Sequence, residues 1–173
     1  SSEVVIETVL SAISNGTERL FYEGKLPESV ESDSAIGSLK KTFRFPMKYG
    51  YQVVGRIIEA GNALSSDLVG KNVFAFHPHA SLFCVRAEDI IVLPDTLAPE
   101  DGVFCAAMET AVNLLLDGAP LIGERVAVIG QGIIGLLTTA LLCYLPLDYL
   151  ISFERAAFRR RQSLTMGADV SYD

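Results

Sequence analysis

The chain has 173 residues, of which 50% are hydrophobic and 20% are charged, and this composition excludes a disordered or fibrous protein. A net charge of −7 argues against a nucleic-acid partner, because binding to a phosphate backbone calls for a basic surface. Three cysteines without a C-x-x-C pair are typical of a reducing compartment, so we expect a cytoplasmic protein.

Short β-rich segments dominate the first 95 residues. The first runs from Val4 to Leu10, and a turn follows at Ser14 to Thr17. In the second, Tyr51 to Ala60, Gly55 indicates a bulge or the close approach of another backbone. Short strands at this spacing predict a small, mainly β-barrel over residues 1 to about 95. Three more strands are predicted at Val73 to Phe76, Leu82 to Val85 and Ile90 to Leu93, and loops at Leu20 to Leu26 and Glu28 to Ser38.

A helical period replaces the β pattern after about residue 95. Pro99, Glu100 and Asp101 are typical of a first helical turn, and a 3.6-residue apolar repeat continues to about Asp117. Gly118 then ends the predicted helix. We therefore expect residues 96 to 173 to form a connecting helix followed by the first part of a second domain.

Three glycines follow an apolar, β-branched run at Val126 to Ile129, which predicts a short strand buried on both faces. Gly130, Gly132 and Gly135 have the G-x-G-x-x-G spacing of a dinucleotide-binding turn. Gly130 permits the tight turn, Gly132 lets a pyrophosphate approach the backbone, and Gly135 lets the next helix pack closely. That helix, expected to begin at about Ile133, directs its free N–H groups at the phosphate.

An acid completes this pattern at the end of the next predicted strand, Tyr149 to Phe153. Glu154 follows Gly130 by 24 residues, where a carboxylate accepts hydrogen bonds from an adenosine ribose. A further helix, Ala156 to Met166, and the start of a third strand give an incomplete Rossmann domain. The predicted cofactor-binding residues are Gly130, Gln131, Gly132, Ile133, Ile134, Gly135, Glu154 and Arg155.

Two questions about this region stay open on the residues alone. The uncharged run from Val126 to Leu147 is long enough for a membrane span of about 20 residues, although Pro146 and the glycines favour strand and helix instead. The carboxylate of Glu154 favours NAD because it would repel a 2′-phosphate. The neighbouring Arg155 and the arginines at 159 to 161 suit NADP, so we favour NAD and keep NADP as an alternative.

Four stretches of the chain combine into a recognisable set of motifs: Ile13 to Glu18, Tyr49 to Gly55, Ala107 to Thr110, and Gly130 to Gly135 with Glu154. Together with the order of barrel, connecting helix and Rossmann segment, they resemble the medium-chain dehydrogenase/reductases, whose N-terminal domain is a GroES-like barrel. The residues of these motifs are most similar to the branch that contains bacteriochlorophyllide a dehydrogenase and related alcohol dehydrogenase-like oxidoreductases. This resemblance implies an NAD(P)-dependent oxidoreductase acting on an alcohol or carbonyl compound.

The ligands of the family's catalytic zinc are missing from the matching positions. Asn15 stands where zinc-dependent members have a cysteine, and Tyr51 and Gln52 stand in place of a histidine and a glutamate. An amide or a neutral phenol replaces these ligands poorly, so we predict no catalytic zinc. A separate nitrogen and sulfur site built from the two histidines and the cysteines is an alternative, although Pro78 disrupts its geometry.

Hydride transfer without zinc needs protein groups that polarise the carbonyl and exchange its proton. Thr17 matches the hydroxyl that relays the proton in zinc-dependent relatives, and Tyr51 places a phenol at a former ligand position. His79 titrates near neutrality as a residue type, and Glu109 matches an acid near the metal in some members. Each also has a structural explanation: a turn cap for Thr17, packing for Tyr51, a hydrogen-bonded histidine at His79 and a solvated helix position for Glu109.

Several expectations about the whole protein follow from these patterns. The chain begins without methionine inside a predicted strand and holds only the adenosine half of a nucleotide fold, so we expect the N-terminal part of a longer protein. We expect a small alcohol or carbonyl substrate and neither a nucleic-acid nor a membrane partner, and we consider a homodimer. The competing function is a non-catalytic nucleotide-binding or redox-sensing module, or an inactive enzyme fragment.

Overall fold

The computed structural model describes residues 1–25 and 46–173, so the predicted loop Glu28 to Ser38 lies outside the described residues. The chain divides into two compact units, Ser1–Cys105 and Ala106–Asp173. The sequence places this boundary at about residue 95. The division falls later because a single helical turn, α2 (Pro99–Gly102), contacts the first two strands of the first unit.

An antiparallel sheet forms the first unit. Its strand order is β4-β1-β2-β3-β5, so the predicted barrel is an open sheet within the described residues. Alternate apolar side chains face one side, where Val4, Ile6 and Ile57 are fully buried. The five strands are β1 (Glu3–Ser11), β2 (Val53–Ala60), β3 (Asn72–Ala75), β4 (Leu82–Arg86) and β5 (Ile90–Val92).

Gly55 marks a close approach between β1 and β2. A Cβ atom at this position would lie 2.3 Å from Ile6 Cγ2 and 2.7 Å from the carbonyl oxygen of Glu7. The pairing of the two strands also shifts register between Thr8 and Leu10, beside Gly55. The prediction of a close backbone approach at this glycine is therefore confirmed.

A short helix, α1 (Thr17–Tyr22), replaces the first part of the loop predicted at Leu20 to Leu26, so that part of the prediction is wrong. The backbone N–H of Glu18 donates to Ser14 O at 3.0 Å, and the Glu18 carboxylate accepts the Ser14 N–H at 2.8 Å. Phe21 is buried and holds the helix against its unit. Reciprocal hydrogen bonds of this kind stabilise the beginning of a helix. A helix of six residues is too short for its period to be recognised in the sequence.

A parallel sheet with helices forms the second unit, and its strand order is β6-β7-β8. The connecting helix predicted from Pro99 to Asp117 is two helices, because α2 ends at Gly102 and the next helix begins at Cys105. No helix in residues 1–25 or 46–173 is long and apolar enough to cross a membrane. The elements are α3 (Cys105–Gly118), β6 (Arg125–Ile129), α4 (Ile133–Leu142), β7 (Tyr149–Phe153), α5 (Ala157–Thr165) and β8 (Val170–Tyr172).

Strand β6 is more exposed than its apolar sequence predicts. Val126 and Val128 are only half-buried, and Ile129 is 84% exposed. Among the described strands β6 pairs only with β7, so its second edge has no neighbour. The prediction that this strand is buried on both faces is wrong for the described residues.

Three serine hydroxyls join β7, α5 and β8 in the interior of the second unit. Ser152 Oγ lies 2.7 Å from both Ser163 Oγ and Ser171 Oγ, and the last two are 3.1 Å apart. Ser163 also donates to the carbonyl of Arg160 at 2.8 Å. Mutual hydrogen bonds satisfy these polar groups where Ser152 and Ser163 are fully buried.

Candidate functional site

The glycine turn between β6 and α4 has the geometry that its spacing predicts. Gly130 has a φ of +86°, a conformation that residues with a Cβ rarely adopt. A Cβ atom at Gly130 or Gly132 would meet nothing within 4 Å, so the space beside this backbone is open. Gly132 caps α4 without a side-chain hydrogen bond, which leaves N–H groups of the first helical turn available to an anion.

Gly135 has a packing role instead. A Cβ atom here would lie 1.9 Å from the carbonyl oxygen of Gly130, a backbone atom that cannot swing aside. The first turn of α4 therefore packs directly on the turn that precedes it. Only glycine permits this contact, which holds the helix N-terminus beside the open space at Gly132.

Glu154 links the end of β7 to the same turn. Its Oε2 accepts the backbone N–H of Gln131 at 2.8 Å, and its Oε1 accepts that of Ala156 at 2.8 Å. The hydrogen bonds from Ala156 and then Gln131, with a smaller contribution from nearby arginines, lower the pKa of Glu154. The side chain is therefore a carboxylate at neutral pH, with one lone pair still available on each oxygen.

The remaining predicted cofactor residues surround this turn in different ways. The side chain of Gln131 is fully buried and bonds to Val128 O and Thr139 Oγ1, so only its backbone faces the turn. Ile133 is exposed and Ile134 half-buried at the start of α4, and Arg155 is exposed. Arg159 Nη1 lies 3.9 Å from Glu154 Oε2. These placements leave the cofactor assignments as predictions.

In the first unit, His79 is the centre of a hydrogen-bonded group. Its Nε2 lies 2.7 Å from Glu18 Oε2, and its Nδ1 lies 3.0 Å from Ser11 Oγ. The Glu18 side chain is 9% exposed, whereas that of His79 is 31% exposed and the Ser11 residue is exposed. A carboxylate, an imidazole and a hydroxyl therefore lie in a row from the interior to the surface.

The segment from Tyr49 to Tyr51 supports this row. Gly50 has a φ of +123°, and a Cβ atom there would lie 2.6 Å from His79 Cδ2, so the imidazole lies directly against the Gly50 backbone. The backbone N–H of His79 donates to Tyr49 O at 3.1 Å. Burial, followed by the charges of Tyr51 and Glu18, raises the pKa of Tyr49 to about 12.

The predicted catalytic residues are distributed over both units. Thr17 is exposed at the start of α1, and Tyr51 is half-buried next to Gly50. The described hydrogen bonds of His79 go to Glu18 and Ser11, not to these two hydroxyls. Glu109 is exposed on α3 in the second unit. The roles assigned to these side chains stay predictions.

Sequence reasoning missed Ser11, Glu18 and Gly50 as members of this group. The signal in the sequence was that Glu18 lies in the Gly-Thr-Glu stretch of the matched motifs. That its carboxylate is buried, and therefore needs a partner, is known only from the structure. The chain has only two histidines to supply one. Choosing His79 over His77 requires the tertiary structure, since 61 residues separate it from Glu18.

The alternative metal site finds no support in residues 1–25 and 46–173. No group of three or more His, Cys, Asp or Glu side chains there could hold a metal ion. The ring of His77 stacks on Phe83 with centroids 4.0 Å apart, and Cys84 is exposed and free. Of the positions predicted to match zinc ligands in other proteins, Asn15 is exposed and Gln52 is buried. The predicted absence of catalytic zinc stays a prediction.

Solved dehydrogenases and oxidoreductases have a fold similar to that of this chain. A short chain alcohol dehydrogenase from E. coli CFT073 complexed with NADH aligns with a TM-score of 0.79 and 20% identity, covering 100% of this chain and 56% of that one. Escherichia coli quinone oxidoreductase complexed with NADPH gives 0.74 and 18%, covering 99% and 50%. Galactitol-1-phosphate dehydrogenase from Escherichia coli gives 0.75 and 16%, covering 99% and 54%.

These likenesses confirm the predicted fold class, a GroES-like β-barrel followed by an incomplete α/β Rossmann domain, of which the described residues form the open half-barrel sheet. The chain spans about half the length of the structures that it matches. No protein-family model matches the sequence, and no curated protein matches it.

Proposed function

We propose that this chain belongs to an NAD(P)-dependent oxidoreductase of the medium-chain dehydrogenase/reductase type that acts on an alcohol or carbonyl compound without catalytic zinc. One observation carries the proposal: an open glycine turn, a helix N-terminus and a carboxylate meet at the end of two parallel strands. Complexes of similarly folded oxidoreductases with NADH and NADPH support it.

The residues of the second unit fit a dinucleotide. Backbone N–H groups at the start of α4 would bind the pyrophosphate at Gly132, where no Cβ atom fills the space. The free lone pairs of Glu154 would accept the ribose hydroxyls. When bound, the nicotinamide supplies or takes up the hydride, and the task of this chain is to hold its adenosine half.

We propose NAD as the preferred cofactor. The lowered pKa of Glu154 keeps a negative charge where NADP would place its 2′-phosphate. An opposing charge is close, since Arg159 Nη1 lies 3.9 Å from Glu154 Oε2, and the exposed Arg155 directly follows Glu154 in the sequence. Replacing Glu154 with serine should remove the repulsion and shift the preference toward NADPH.

The first unit supplies the proton chemistry in this proposal. A zinc ion would polarise the substrate oxygen in zinc-dependent relatives, but Asn15, Tyr51 and Gln52 stand at the positions of its ligands. The hydroxyls of Thr17 and Tyr51 and the imidazole of His79 are the groups proposed to exchange the proton. Glu109 is proposed as an auxiliary acid.

Calorimetric titration of the chain with NADH and NADPH tests the cofactor site. We expect NADH to bind more tightly than NADPH. Gly132→Asp should abolish binding, because its carboxylate would occupy the open space and repel the pyrophosphate. Gly118→Asp is the matched control, since it adds the same charge at an exposed glycine of the same unit that also has nothing within 4 Å.

Binding that survives Gly132→Asp, or a folded parent that binds neither cofactor, would contradict the proposal. Oxidation of NADH by the full-length protein in the presence of a panel of aldehydes and ketones then tests the activity, because this chain is expected to hold only the adenosine half of the cofactor. Tight NADH binding by the full-length protein with no turnover on any carbonyl would instead favour the non-catalytic nucleotide-binding module.

A further inference from the structure

The hydrogen bonds of His79 define which nitrogen carries the proton in the neutral ring. The Glu18 carboxylate can only accept, and it lies 2.7 Å from Nε2, so Nε2 must be the donor. In the neutral imidazole, Nδ1 is then an acceptor, and the hydroxyl of Ser11 at 3.0 Å donates to it. The two hydrogen bonds therefore run the same way along the row: Ser11 donates to His79, and His79 donates to Glu18.

This arrangement leaves neither ring nitrogen free to contact a substrate. Nε2 faces the buried Glu18, and Nδ1 faces Ser11, whose residue is exposed. Any proton that His79 exchanges with a bound molecule must pass through the Ser11 hydroxyl. A base oriented by a carboxylate on one side and bonded to a hydroxyl on the other has the geometry of an activated hydroxyl.

We propose that Ser11, His79 and Glu18 form a proton relay that ends at the exposed Ser11 hydroxyl. Ser11 is the group that touches the substrate oxygen, His79 stores the proton, and Glu18 is a positioning residue that holds the ring. This inference rests on the proposed oxidoreductase function and gives roles to two residues, Ser11 and Glu18, that were not among the predicted catalytic residues.

The step balances in the direction of carbonyl reduction. As the carbonyl carbon gains the hydride, its oxygen takes the proton of Ser11 O–H, and the Ser11 oxygen takes the Nδ1 proton of the His79 imidazolium. The ring is left neutral, with its Nε2–H still donated to Glu18, and a proton from solvent returns to Nδ1 through the exposed Ser11 hydroxyl. Carbonyl, NAD(P)H and one proton become alcohol and NAD(P)⁺, and alcohol oxidation reverses each transfer.

The surroundings of His79 favour a fixed ring rather than a mobile one. Glu18 faces it from α1, Ser11 from the end of β1, and the backbone of Gly50 lies directly against it. Glu18 is itself held by the Ser14 N–H at 2.8 Å. A relay needs this pre-organisation, because a rotated imidazole would break both of its hydrogen bonds.

His77 provides an internal reference two residues away. Its Nδ1 lies 2.7 Å from the carbonyl oxygen of Pro78, so its neutral ring must carry the proton on Nδ1. The two histidines of this chain are therefore expected to adopt opposite tautomers. With only two rings in the protein, their nitrogen resonances are assigned by a single His79→Gln variant.

Nitrogen NMR of the histidine-labelled full chain above neutral pH is the experiment that tests the relay without cofactor. We expect the Nε2–H tautomer for His79 and the Nδ1–H tautomer for His77. Ser11→Ala should shift the His79 Nδ1 resonance and leave His77 unmoved. Ser81→Ala is the control, since it removes another exposed serine hydroxyl near His79.

Turnover of the same variants of the full-length protein with NADH and a carbonyl completes the test. Ser11→Ala should lower kcat about 100-fold, the typical loss for a missing acid or base group, with little change in KM. Ser11→Thr keeps the hydroxyl and should restore most of the rate. Glu18→Gln should lower kcat with little change in KM and should shift the His79 nitrogen resonances, whereas a purely structural role of this side chain would change only the free energy of unfolding.

The outcomes separate the relay from the function on which it rests. An Nδ1–H tautomer at His79, or parental kcat in Ser11→Ala, overturns the relay and leaves the oxidoreductase proposal intact. The predicted tautomers together with a parent that neither binds nor oxidises NADH overturn both, because the hydrogen-bonded row then serves no hydride transfer.

Discussion

The two units of this chain build their candidate sites in opposite ways. In the second unit the site is a continuous backbone turn from Gly130 to Gly135, completed by one carboxylate at the end of the next strand. In the first unit it is a row of side chains from three segments, with Glu18 and His79 separated by 61 residues. A local backbone motif is visible in a sequence, whereas a row of side chains exists only after folding.

The two candidate sites also differ in the role that the missing side chain of glycine has. At Gly132 its absent side chain leaves space for a ligand, but at Gly135 and Gly50 it leaves space for the protein itself. Substitutions at these positions therefore test whether each unit is organised as described, by separating steric effects inside the protein from effects on binding.

The largest expected effect is at Gly135. Gly135→Ala places a methyl group 1.9 Å from the Gly130 carbonyl oxygen, so α4 must move away from the turn. We expect a loss of about 3 kcal/mol in the free energy of unfolding, the upper end for overpacking. Hydrogen exchange should locate this loss in the amides of α4 and β6.

Gly132→Ala is the matched control for this prediction. Its φ is −73° and its Cβ atom would meet nothing within 4 Å, so the free energy of unfolding should stay within about 0.5 kcal/mol of the parent. Equal destabilisation by both substitutions would show that the turn is not packed as described.

Gly50→Ala should break the site of the first unit. It combines a positive φ of +123° with a Cβ atom 2.6 Å from the His79 ring. We expect a loss of about 2 kcal/mol in urea unfolding and a displaced imidazole. Gly70→Ala, with a φ of +88° but open space, isolates the backbone strain and should cost about 1 kcal/mol. Unchanged His79 nitrogen resonances in Gly50→Ala would contradict the contact.

A smaller effect is expected from Glu154 on the acid side. Because folding lowers the pKa of Glu154 from 4.5, its contribution to stability is complete above about pH 4.5 and is lost as the pH falls through the folded pKa. The difference in unfolding free energy between the parent and Glu154→Gln should therefore shrink below pH 4.5. A difference independent of pH would mean that the charge does not hold the turn.

The smallest effect belongs to Tyr49 on the alkaline side of the first unit. Its pKa is raised from 10.0 to about 12, so the folded state keeps a proton that the unfolded state has lost. Its contribution to stability is present below pH 10 and falls as the pH rises toward 12. In an ultraviolet titration, Tyr49→Phe should remove a tyrosine that ionises near pH 12, whereas Tyr22→Phe, at an exposed tyrosine, should leave that ionisation in place.

The parts of the fold that could be predicted are those with local causes. The glycine turn, the start of α4 at Ile133 and the strand that ends before Glu154 follow from spacing and periodicity, and the structure has all three. The close approach at Gly55 also follows from one residue in a strand pattern.

The parts that could not be predicted depend on tertiary neighbours. Helix α1 is too short for periodicity and forms through reciprocal bonds between Ser14 and Glu18. The exposure of Ile129 depends on whether another strand pairs with β6, and apolar composition does not report this. The partners of His79 could not be predicted, because Ser11 on β1 and Glu18 on α1 come within hydrogen-bonding distance of it only in the folded chain.

The hydroxyls of Ser152, Ser163 and Ser171 couple the docking of helix α5 to the pairing of strand β8. Ser171 on β8 has both of its hydroxyl partners only while α5 holds Ser163 next to Ser152 on β7. If α5 moved away, the buried hydroxyls of Ser152 and Ser163 would lose hydrogen-bond partners, which is costly in an interior. We therefore expect α5 and β8 to open together in native-state fluctuations.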